Sequence, residues 1–183
     1  MTTATTDQAA LTGTWNLDPV HSNASFAVRH LGITWLRGRL DGFTATITQD
    51  ADGSLALSGE MPVSGVSIGD DQLLAHLASP DFFDAERHPT LRFSSSDLSI
   101  GEDGTLSIRG ELAMRGQSHP IEATGTLQGP ITDLYGGDRI GLELEAVIDR
   151  TQWGISWAAD LPDGTAVVGR KVRLGAAIQL TRS

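Results

Sequence analysis

The sequence contains no cysteine, and this absence excludes several classes of site at once. Disulfide scaffolds, thiolate zinc sites, iron–sulfur clusters and cysteine nucleophiles all require a thiol. A chain of 183 residues does not need a disulfide to fold, because a domain of this size buries about 70 % of the surface that its unfolded chain exposes. The length and the ordinary apolar content therefore predict one globular domain.

Basic residues are scarce. The chain has 13 Lys and Arg against 23 Asp and Glu, which gives a formal net charge of −10. Nucleic acids and anionic membrane surfaces favour proteins with a basic face. The charge balance therefore argues against nucleic acid or an anionic membrane as the main partner, and a neutral or buried ligand is easier to accommodate.

Long apolar runs are absent as well. The first eleven residues lack Lys, Arg and the apolar core of a secretory signal, and no later stretch has the roughly eighteen apolar residues of a membrane span. We expect residues 1–12 to form a disordered N-terminal tail and residues 13–182 to form the single domain. We also expect the protein to be cytoplasmic, without stable insertion into a membrane.

Recognisable catalytic motifs are missing from the sequence. It has no Gly-x-Ser-x-Gly elbow, no phosphate-binding glycine loop and no dinucleotide fingerprint. No two histidines stand three or four residues apart, so a helical metal pair is excluded. We predict no metal, no cofactor and no catalytic residue. The histidines are His21, His30, His76, His88 and His119.

Alternation of apolar and polar residues dominates the chain from Trp15 onward. It is most regular over residues 106–114, 140–148 and 172–180, with the period of a strand that buries one face. Shorter stretches of the same kind bring the total to about eight strands. Between Phe93 and Leu98 the apolar phase moves by one position, which predicts a β-bulge.

Short connections between these segments predict antiparallel pairing of successive strands. Residues 50–53, 102–104 and 117–120 have the composition of tight reversals. One segment, residues 72–77, is typical of a helix that Asp70 or Asp71 can cap. Long strands and 21 glycines, some of them available for bends, favour a barrel over a sandwich. The predicted fold is all-β: an extended antiparallel eight-stranded lipocalin-like barrel with one short helical insertion.

The inward half of the alternation is a candidate lining for a ligand-binding lumen. His30 continues the inward phase of Phe26 and Val28, and an imidazole in apolar surroundings must find a partner or remain neutral. Two interpretations of His30 stay open: a structural histidine bonded to a neighbouring backbone group, or a polar contact for a ligand head group.

Two aromatic pairs complete the candidates. Phe82 and Phe83 either cover one end of the lumen or anchor the helix. Trp153 and Trp157 would share one face if their segment made a helical turn, as core residues or as a cavity wall. The candidate ligand-binding residues are Phe26, Val28, His30, Phe43, Leu77, Phe82, Phe83, Leu106, Ile108, Leu112, Met114, Leu142, Leu144, Ile148, Trp153 and Trp157.

An ordered set of motifs resembles the YceI-like family of polyisoprenoid-binding proteins. The resemblance covers Gly13 to Leu180, and the ordered set is more specific than any one motif. The most specific stretch runs from His76-Leu77-Ala78-Ser79-Pro80-Asp81-Phe82-Phe83-Asp84 to His88-Pro89-Thr90-Leu91-Arg92-Phe93. The other matching segments are residues 15–22, 26–32, 37–43, 67–68 and 150–155.

The resemblance implies an extended antiparallel barrel, often dimeric, whose tunnel holds a long isoprenoid or other aliphatic chain. Four departures from the family pattern are present. If the family's Arg-Asp pair positions the helix or a head group, its replacement here implies a ligand that differs from the isoprenoids of the family. Leu73-Leu74 stand where the family usually has Arg-Asp, Asp149 where it often has Asn, Trp153 in place of Phe, and Ser118-His119 in place of Thr-Lys.

The function predicted from these observations is non-catalytic binding and carriage or storage of an amphipathic lipid, most of all a polyisoprenoid such as a quinone or its precursor. One alternative is a cofactor-free isomerase or hydrolase that uses His30 as acid or base. Others are a haem-binding barrel with His30 as axial ligand and a structural or stress-related interaction module.

Overall fold

A computed structural model describes residues 11–183. Within this part of the chain, antiparallel strands dominate and one α-helix interrupts them. The elements are β1 (Thr14–Leu17), β2 (Asn23–His30), β3 (Thr34–Leu40), β4 (Thr44–Gln49), β5 (Leu55–Pro62), β6 (Val66–Ser67), α1 (Asp71–Ala78), β7 (Thr90–Ile100), β8 (Thr105–Met114), β9 (Gln117–Thr132), β10 (Asp138–Asp149) and β11 (Val168–Arg182).

The strands close into a barrel, because the last strand returns to the first. One edge of β11 pairs with β10, and its other edge pairs with β2 and then with β1. Strand β4 pairs with β1, β3 pairs with β2, and β5 and β6 pair with β4 and β3 respectively. Three strands of the barrel are thus each made of two consecutive segments, and the barrel has eight antiparallel strands, which confirms the predicted fold class.

Of the local irregularities predicted from the sequence, the bulge is confirmed and one of the reversals is wrong. The pairing of β7 with β8 changes register between Ser95 and Asp97, which confirms the predicted bulge. The reversal predicted at residues 117–120 is wrong, because β9 already begins at Gln117 and the turn is Arg115-Gly116. Both turn residues have positive φ, 51° and 71°, as a two-residue hairpin loop requires.

Helix α1 begins where its cap was predicted. The Asp70 side chain accepts a hydrogen bond of 2.8 Å from the backbone N–H of Leu73, which satisfies one of the free donors of the first turn. None of the eight residues of α1 is buried. No helix among residues 11–183 is long and apolar enough to span a membrane.

The first ten residues of the predicted disordered tail lie outside the described residues. Leu11 is described, and it is fully buried. Its carbonyl oxygen accepts a hydrogen bond of 3.0 Å from Nε1 of Trp15. The packed part of the chain therefore includes Leu11, which the sequence had assigned to the tail.

One end of the barrel is filled by side chains, and we call this set the closed-end core. It lies where β1 begins and where the β4–β5, β7–β8 and β9–β10 connections turn. Its members alternate along their strands, so each strand contributes one face. The closed-end core consists of Leu11, Trp15, Ala45, Ile47, Leu55, Leu57, Leu98, Leu106, Ile108, Leu127, Ile140, Leu142, Ile178 and Leu180.

Candidate functional site

Towards the opposite end, which we call the mouth, the barrel interior widens into a cavity of about 330 Å³. This volume lies at the small end of the range of about 300–1,000 Å³ that is usual for small-molecule sites. Its wall is almost entirely apolar. Ten of the predicted binding residues line it: Phe26, Val28, Phe43, Leu77, Phe82, Phe83, Leu112, Met114, Leu144 and Ile148.

Three predicted binding residues point into the barrel but lie too near its closed end to reach the cavity. Leu106, Ile108 and Leu142 belong to the closed-end core and are 1–3 % exposed. They do not line the cavity. Alternation identifies which face of a strand points into the barrel, but it does not show how far along the axis the interior is filled.

The two tryptophans predicted at one end of the lumen lie behind its wall. Trp153 is fully buried and donates a hydrogen bond of 2.8 Å from Nε1 to the carbonyl of Leu112. Trp157 is half-buried and stands edge-on to His76 at 5.3 Å. Neither lines the cavity. They do not stack as a pair because Gly154, in the left-handed region at φ 70°, ends the short 3₁₀ turn that follows β10.

His30, the predicted polar contact, is half-buried at the end of β2. It pairs with Thr34 across the β2–β3 hairpin and with Val168 of β11. Val168 lines the cavity and His30 does not. Of the three binding residues predicted on β2, Phe26 and Val28 therefore line the cavity and His30 does not.

Small inward residues leave the space that forms the cavity. Ala24 and Ala176 face each other across β2 and β11, and both line it together with Gly59. Ala24 and Ala176 belong to the alternating pattern of the sequence. They were not predicted as binding residues, because apolarity alone does not show that small residues leave space for a cavity. Leu73 also lines the cavity, so one of the departures from the family pattern places an apolar side chain at the site.

Two phenylalanine rings lie flat against the wall over glycines of neighbouring strands. A Cβ added at Gly38 would collide with the ring of Phe26. A Cβ at Gly110 would lie 2.6 Å from Cζ of Phe93. Since these rings occupy the room that side chains would take at Gly38 and Gly110, they cover the wall instead of filling the cavity.

The mouth is covered by α1 and the segment that follows it. Phe82 is buried, its ring centroid lies 4.9 Å from that of His76, and it also packs on Trp157. Phe83 lines the cavity, and its backbone N–H donates to the carbonyl of Leu77 at 3.0 Å. These two phenylalanines therefore both anchor the helix and cover the lumen, so the two interpretations of the pair hold together.

Arg150, which is not among the binding residues predicted from the sequence, lies in the cavity wall with only 5 % of its surface exposed. Its guanidinium donates to the carbonyls of Gly169 at 3.0 Å, Ile155 at 2.7 Å and Val168 at 3.3 Å. Burial lowers the pKa of Arg150, and the positive charge of Arg170 acts in the same direction while Asp149 opposes them. The only sign of this residue in the sequence is that an arginine directly follows the alternating pattern of β10.

Among residues 11–183, no group of three or more His, Asp or Glu side chains is placed to hold a metal ion. The arrangement as a whole is a half-open apolar cavity with one buried cation in its wall. Such a site can bury an aliphatic chain.

A family model described as the YceI-like domain matches residues 15–180. The chain is 30 % identical to Protein YceI of Escherichia coli over 138 residues, which is 74 % of this chain and 71 % of that protein. It is 28 % identical to a UPF0312 protein of Vibrio cholerae over 137 residues, which is 74 % of this chain and 72 % of that protein.

Solved structures share the barrel at lower sequence identity. BcnA of Burkholderia cenocepacia superimposes with a TM-score of 0.74 at 17 % identity, over 89 % of this chain and 98 % of that one. A polyisoprenoid binding domain from Saccharophagus degradans, implicated in plant cell wall breakdown, superimposes with a TM-score of 0.71 at 13 % identity, over 92 % and 98 % of the two chains. At these identities the similarity shows the fold.

Proposed function

Since the chain belongs to the YceI-like domain family, we propose that its barrel cavity binds an amphipathic lipid and that the protein carries or stores this lipid without changing it chemically. The observation that carries the proposal is the apolar cavity of about 330 Å³ between the closed-end core and the mouth. Burial of an aliphatic chain there supplies affinity at about 0.8 kcal/mol per methylene group, before the costs of association.

The finer part of the proposal is the kind of lipid. We propose a polyisoprenoid, either a quinone or its precursor, because a branched apolar chain fits an apolar wall that small residues such as Ala24 and Ala176 widen. The structural similarity to the polyisoprenoid binding domain from Saccharophagus degradans supports this choice by analogy. We propose that the lipid enters and leaves the cavity at the mouth, where α1 and Phe83 cover it.

The enzymatic and haem-binding alternatives both depend on His30. That residue is not among those that line the cavity, and no other observation favours either alternative over binding. We also retain the proposals that the protein works in the cytoplasm and that two copies associate. Light scattering during size-exclusion chromatography tests the association.

The direct test is native mass spectrometry of freshly purified protein, with extraction and identification of whatever lipid co-purifies. We expect a mass increment that disappears on extraction, and an isoprenoid in the extract. An empty protein from several expression hosts, together with no binding of added farnesol, would overturn the proposal.

A matched pair of substitutions on β2 locates the binding site. Ala24 lines the cavity, whereas Ser25 is exposed on the opposite face of the strand. We expect Ala24→Phe to fill the cavity and to lower affinity for an added isoprenoid by at least about tenfold, because each lost methylene contact weakens burial. Ser25→Phe should leave affinity unchanged; an equal loss in both variants would place the lipid elsewhere.

A further inference from the structure

The basic residues of the chain differ in whether an acidic partner neutralises them. Seven of the thirteen form ion pairs with Asp or Glu: Arg39, Arg87, Arg92, Arg109, Arg139, Arg170 and Arg182. Arg115 and Arg150 donate to backbone carbonyls. The side chains of the other four are exposed and have neither a carboxylate within 4 Å nor a hydrogen bond among residues 11–183: Arg29, Arg37, Lys171 and Arg173.

These four cations share one outer surface of the barrel, across β3, β2 and β11, which we call the basic face. The strand registers place Arg37 of β3 beside Ala27 of β2, and Ala27 beside Arg173 of β11. Because strands are about 4.8 Å apart, Arg37 and Arg173 are separated by only about 10 Å. Arg29 and Lys171 each stand two residues nearer the mouth on the same side of their strands.

Trp35 lies in the middle of the basic face. It pairs with Arg29 across the β2–β3 hairpin, and the guanidinium carbons of Arg29 and Arg173 each lie 4.2 Å from the centroid of its ring. The negative face of an indole attracts cations, so Trp35 holds two like charges close together. Such a cluster without acidic partners favours an anionic partner from outside the chain.

Acidic residues of β10 limit the basic face on one side. Asp149 lies beside Lys171, but its Oδ2 pairs with Arg170 at 3.1 Å. Glu143 and Glu145 lie further towards the closed end. Positive charge is therefore concentrated in the mouth half of this surface. The net charge of −10, which argues against an anionic membrane when charges are spread evenly, does not describe it.

Exposed aliphatic side chains accompany the cations. Ile33, in the turn between β2 and β3 at the mouth, is 81 % exposed. The turn is held in place, because the backbone N–H of Leu31 donates to the carbonyl of Val167 at 2.9 Å. Val147 is 61 % exposed and lies beside Arg173. Cations next to exposed aliphatic groups are typical of surfaces that rest on a bilayer, where the cations contact lipid phosphates and the aliphatic groups enter the headgroup layer.

We propose that the basic face docks the protein on the surface of a bilayer that contains anionic phospholipids, with Ile33 in the headgroup layer and the mouth beside the membrane. Trp35 lies at the level where indole rings are enriched at membrane interfaces. The docking is peripheral and does not depend on what the cavity holds, so it goes beyond the proposed function. It brings the mouth to a place where a membrane lipid can enter.

The test measures co-sedimentation of the protein with two kinds of vesicle: phosphatidylcholine alone, and phosphatidylcholine with an equal amount of phosphatidylglycerol. We expect at least about tenfold tighter binding to the mixed vesicles, because each Lys or Arg near an anionic surface contributes about fivefold in affinity. Binding should weaken as salt rises to about 0.15 M, where charges more than about 8 Å apart are screened. Equal binding to the two kinds of vesicle, or binding to neither, would overturn the proposal.

Matched substitutions assign the docking to the basic face. Arg173→Gln should weaken binding to the mixed vesicles by about fivefold, and Arg29→Gln combined with it by at least about tenfold. Arg109→Gln changes the net charge equally but acts on an exposed ion pair with Glu122 of β8, four strands from β2 in either direction around the barrel. It should change binding by less than about twofold. An equal loss in Arg109→Gln and Arg173→Gln would mean that net charge, and not this face, governs the contact.

A second matched pair tests the orientation. Ile33→Ser should weaken binding to the mixed vesicles by at least about threefold through lost apolar burial. Leu134 is fully exposed in the β9–β10 connection at the closed end, so Leu134→Ser should have no effect. A larger loss in Leu134→Ser than in Ile33→Ser would place the closed end on the membrane and overturn the proposed orientation.

Other anionic partners and cavity binding are tested separately. Tighter binding of double-stranded DNA or polyglutamate than of the mixed vesicles would assign the basic face to a different partner and overturn the proposal. The Arg29→Gln and Arg173→Gln protein should bind added farnesol in vesicle-free solution as the unchanged protein does, because neither residue lines the cavity. Loss of vesicle binding together with farnesol binding in this variant would show a damaged barrel and would contradict a docking role for the two arginines.

Discussion

The two halves of the barrel have the same alternating sequence and different interiors. At the closed end, inward residues such as Ile108, Leu142 and Leu180 are at most 1 % exposed and leave no cavity. At the mouth, inward Ala24, Ala176 and flat-lying rings leave about 330 Å³ unfilled. The closed half thus supplies folding free energy by dense packing, while the mouth half gives up part of that packing and gains a binding site.

The covers of the two ends differ as well. Near the β9–β10 connection of the closed end, Arg139 forms salt bridges with Asp18 at 2.9 Å and with Asp133 at 2.6 Å. The mouth is covered by α1, which buries no residue completely. Local opening should therefore occur at the mouth, since regions with few buried contacts open most easily.

The largest expected effect comes from two leucines of β10 that stand two residues apart. Leu142 is 1 % exposed in the closed-end core, and Leu144 lines the cavity. We expect Leu142→Ala to lower the free energy of unfolding by about 3–4 kcal/mol, because it leaves a void in dense packing. Leu144→Ala should cost only about 1–2 kcal/mol, because Leu144 already borders empty space. Urea denaturation measures both.

Ligand binding should respond in the opposite order to these two changes. Leu144→Ala should weaken isoprenoid binding by about threefold to tenfold through lost apolar contact, while Leu142→Ala should leave the affinity of the folded protein unchanged. Equal stability losses in the two variants would mean that the two halves are packed alike.

The second prediction concerns the wall of the mouth half. Trp153 is fully buried and donates to the carbonyl of Leu112. Trp153→Phe removes this hydrogen bond and part of the ring, so the free energy of unfolding should fall by about 2 kcal/mol. Affinity should stay unchanged because Trp153 does not line the cavity. Half-buried Trp157 is the control: Trp157→Phe should cost less than about 1 kcal/mol, and a larger cost there than at Trp153 would contradict the packing described.

The sequence predicted the strands better than it predicted the site. Periodicity located the strands, the bulge near Ser95 and the cap at Asp70, because each is encoded within a few neighbouring residues. The turn at Arg115-Gly116 was missed because the polar run after it looked more like a reversal than the start of β9. These elements all depend on local chemistry.

The cavity depends on the sizes of the side chains that different strands direct into the barrel interior. Leu106 and Leu112 look equivalent in sequence, yet Leu106 fills the closed end and Leu112 borders the cavity. Residues of strands distant in sequence from β8, such as the paired Ala24 and Ala176 of β2 and β11, line the cavity together with Leu112. Arg150 was missed for the same reason: its burial depends on Gly169 and Val168, which the chain reaches only after the loop that follows β10.

The third prediction tests the closed end with acid. The pKa of Asp18 is lowered from 3.8 to about 2, first by the hydrogen bond with the His21 side chain and also by that from the backbone of Val20. Because the folded carboxyl has the lower pKa, its contribution to stability is complete above about pH 5 and is lost as the pH falls towards 2. We expect Asp18→Asn to cost about 1–2 kcal/mol at pH 7 and less at lower pH.

The measurement is urea denaturation at several pH values between 7 and 2.5. Carboxyls of exposed turns, such as Asp52 and Asp103, also have lowered pKa values, so both proteins should lose stability in acid. Only the difference between them reports on Asp18, and it should shrink as the pH falls. A difference that grows in acid would contradict the direction of the pKa shift.

The smallest expected effect concerns the cover of the mouth. Asp70→Ala removes the N-cap of α1, which stabilises a helix by about 1 kcal/mol, but α1 contributes no buried residue to the barrel. The loss should therefore be local: amide hydrogens of α1 should exchange about five times faster, and bound isoprenoid should leave faster, while the urea midpoint of the barrel changes little. Asp71→Ala, one residue on, does not remove the bond to Leu73 and serves as the control. If Asp70→Ala instead shifted the urea midpoint as much as Leu144→Ala, α1 would be part of the cooperative barrel, and the mouth would open only when the whole fold does.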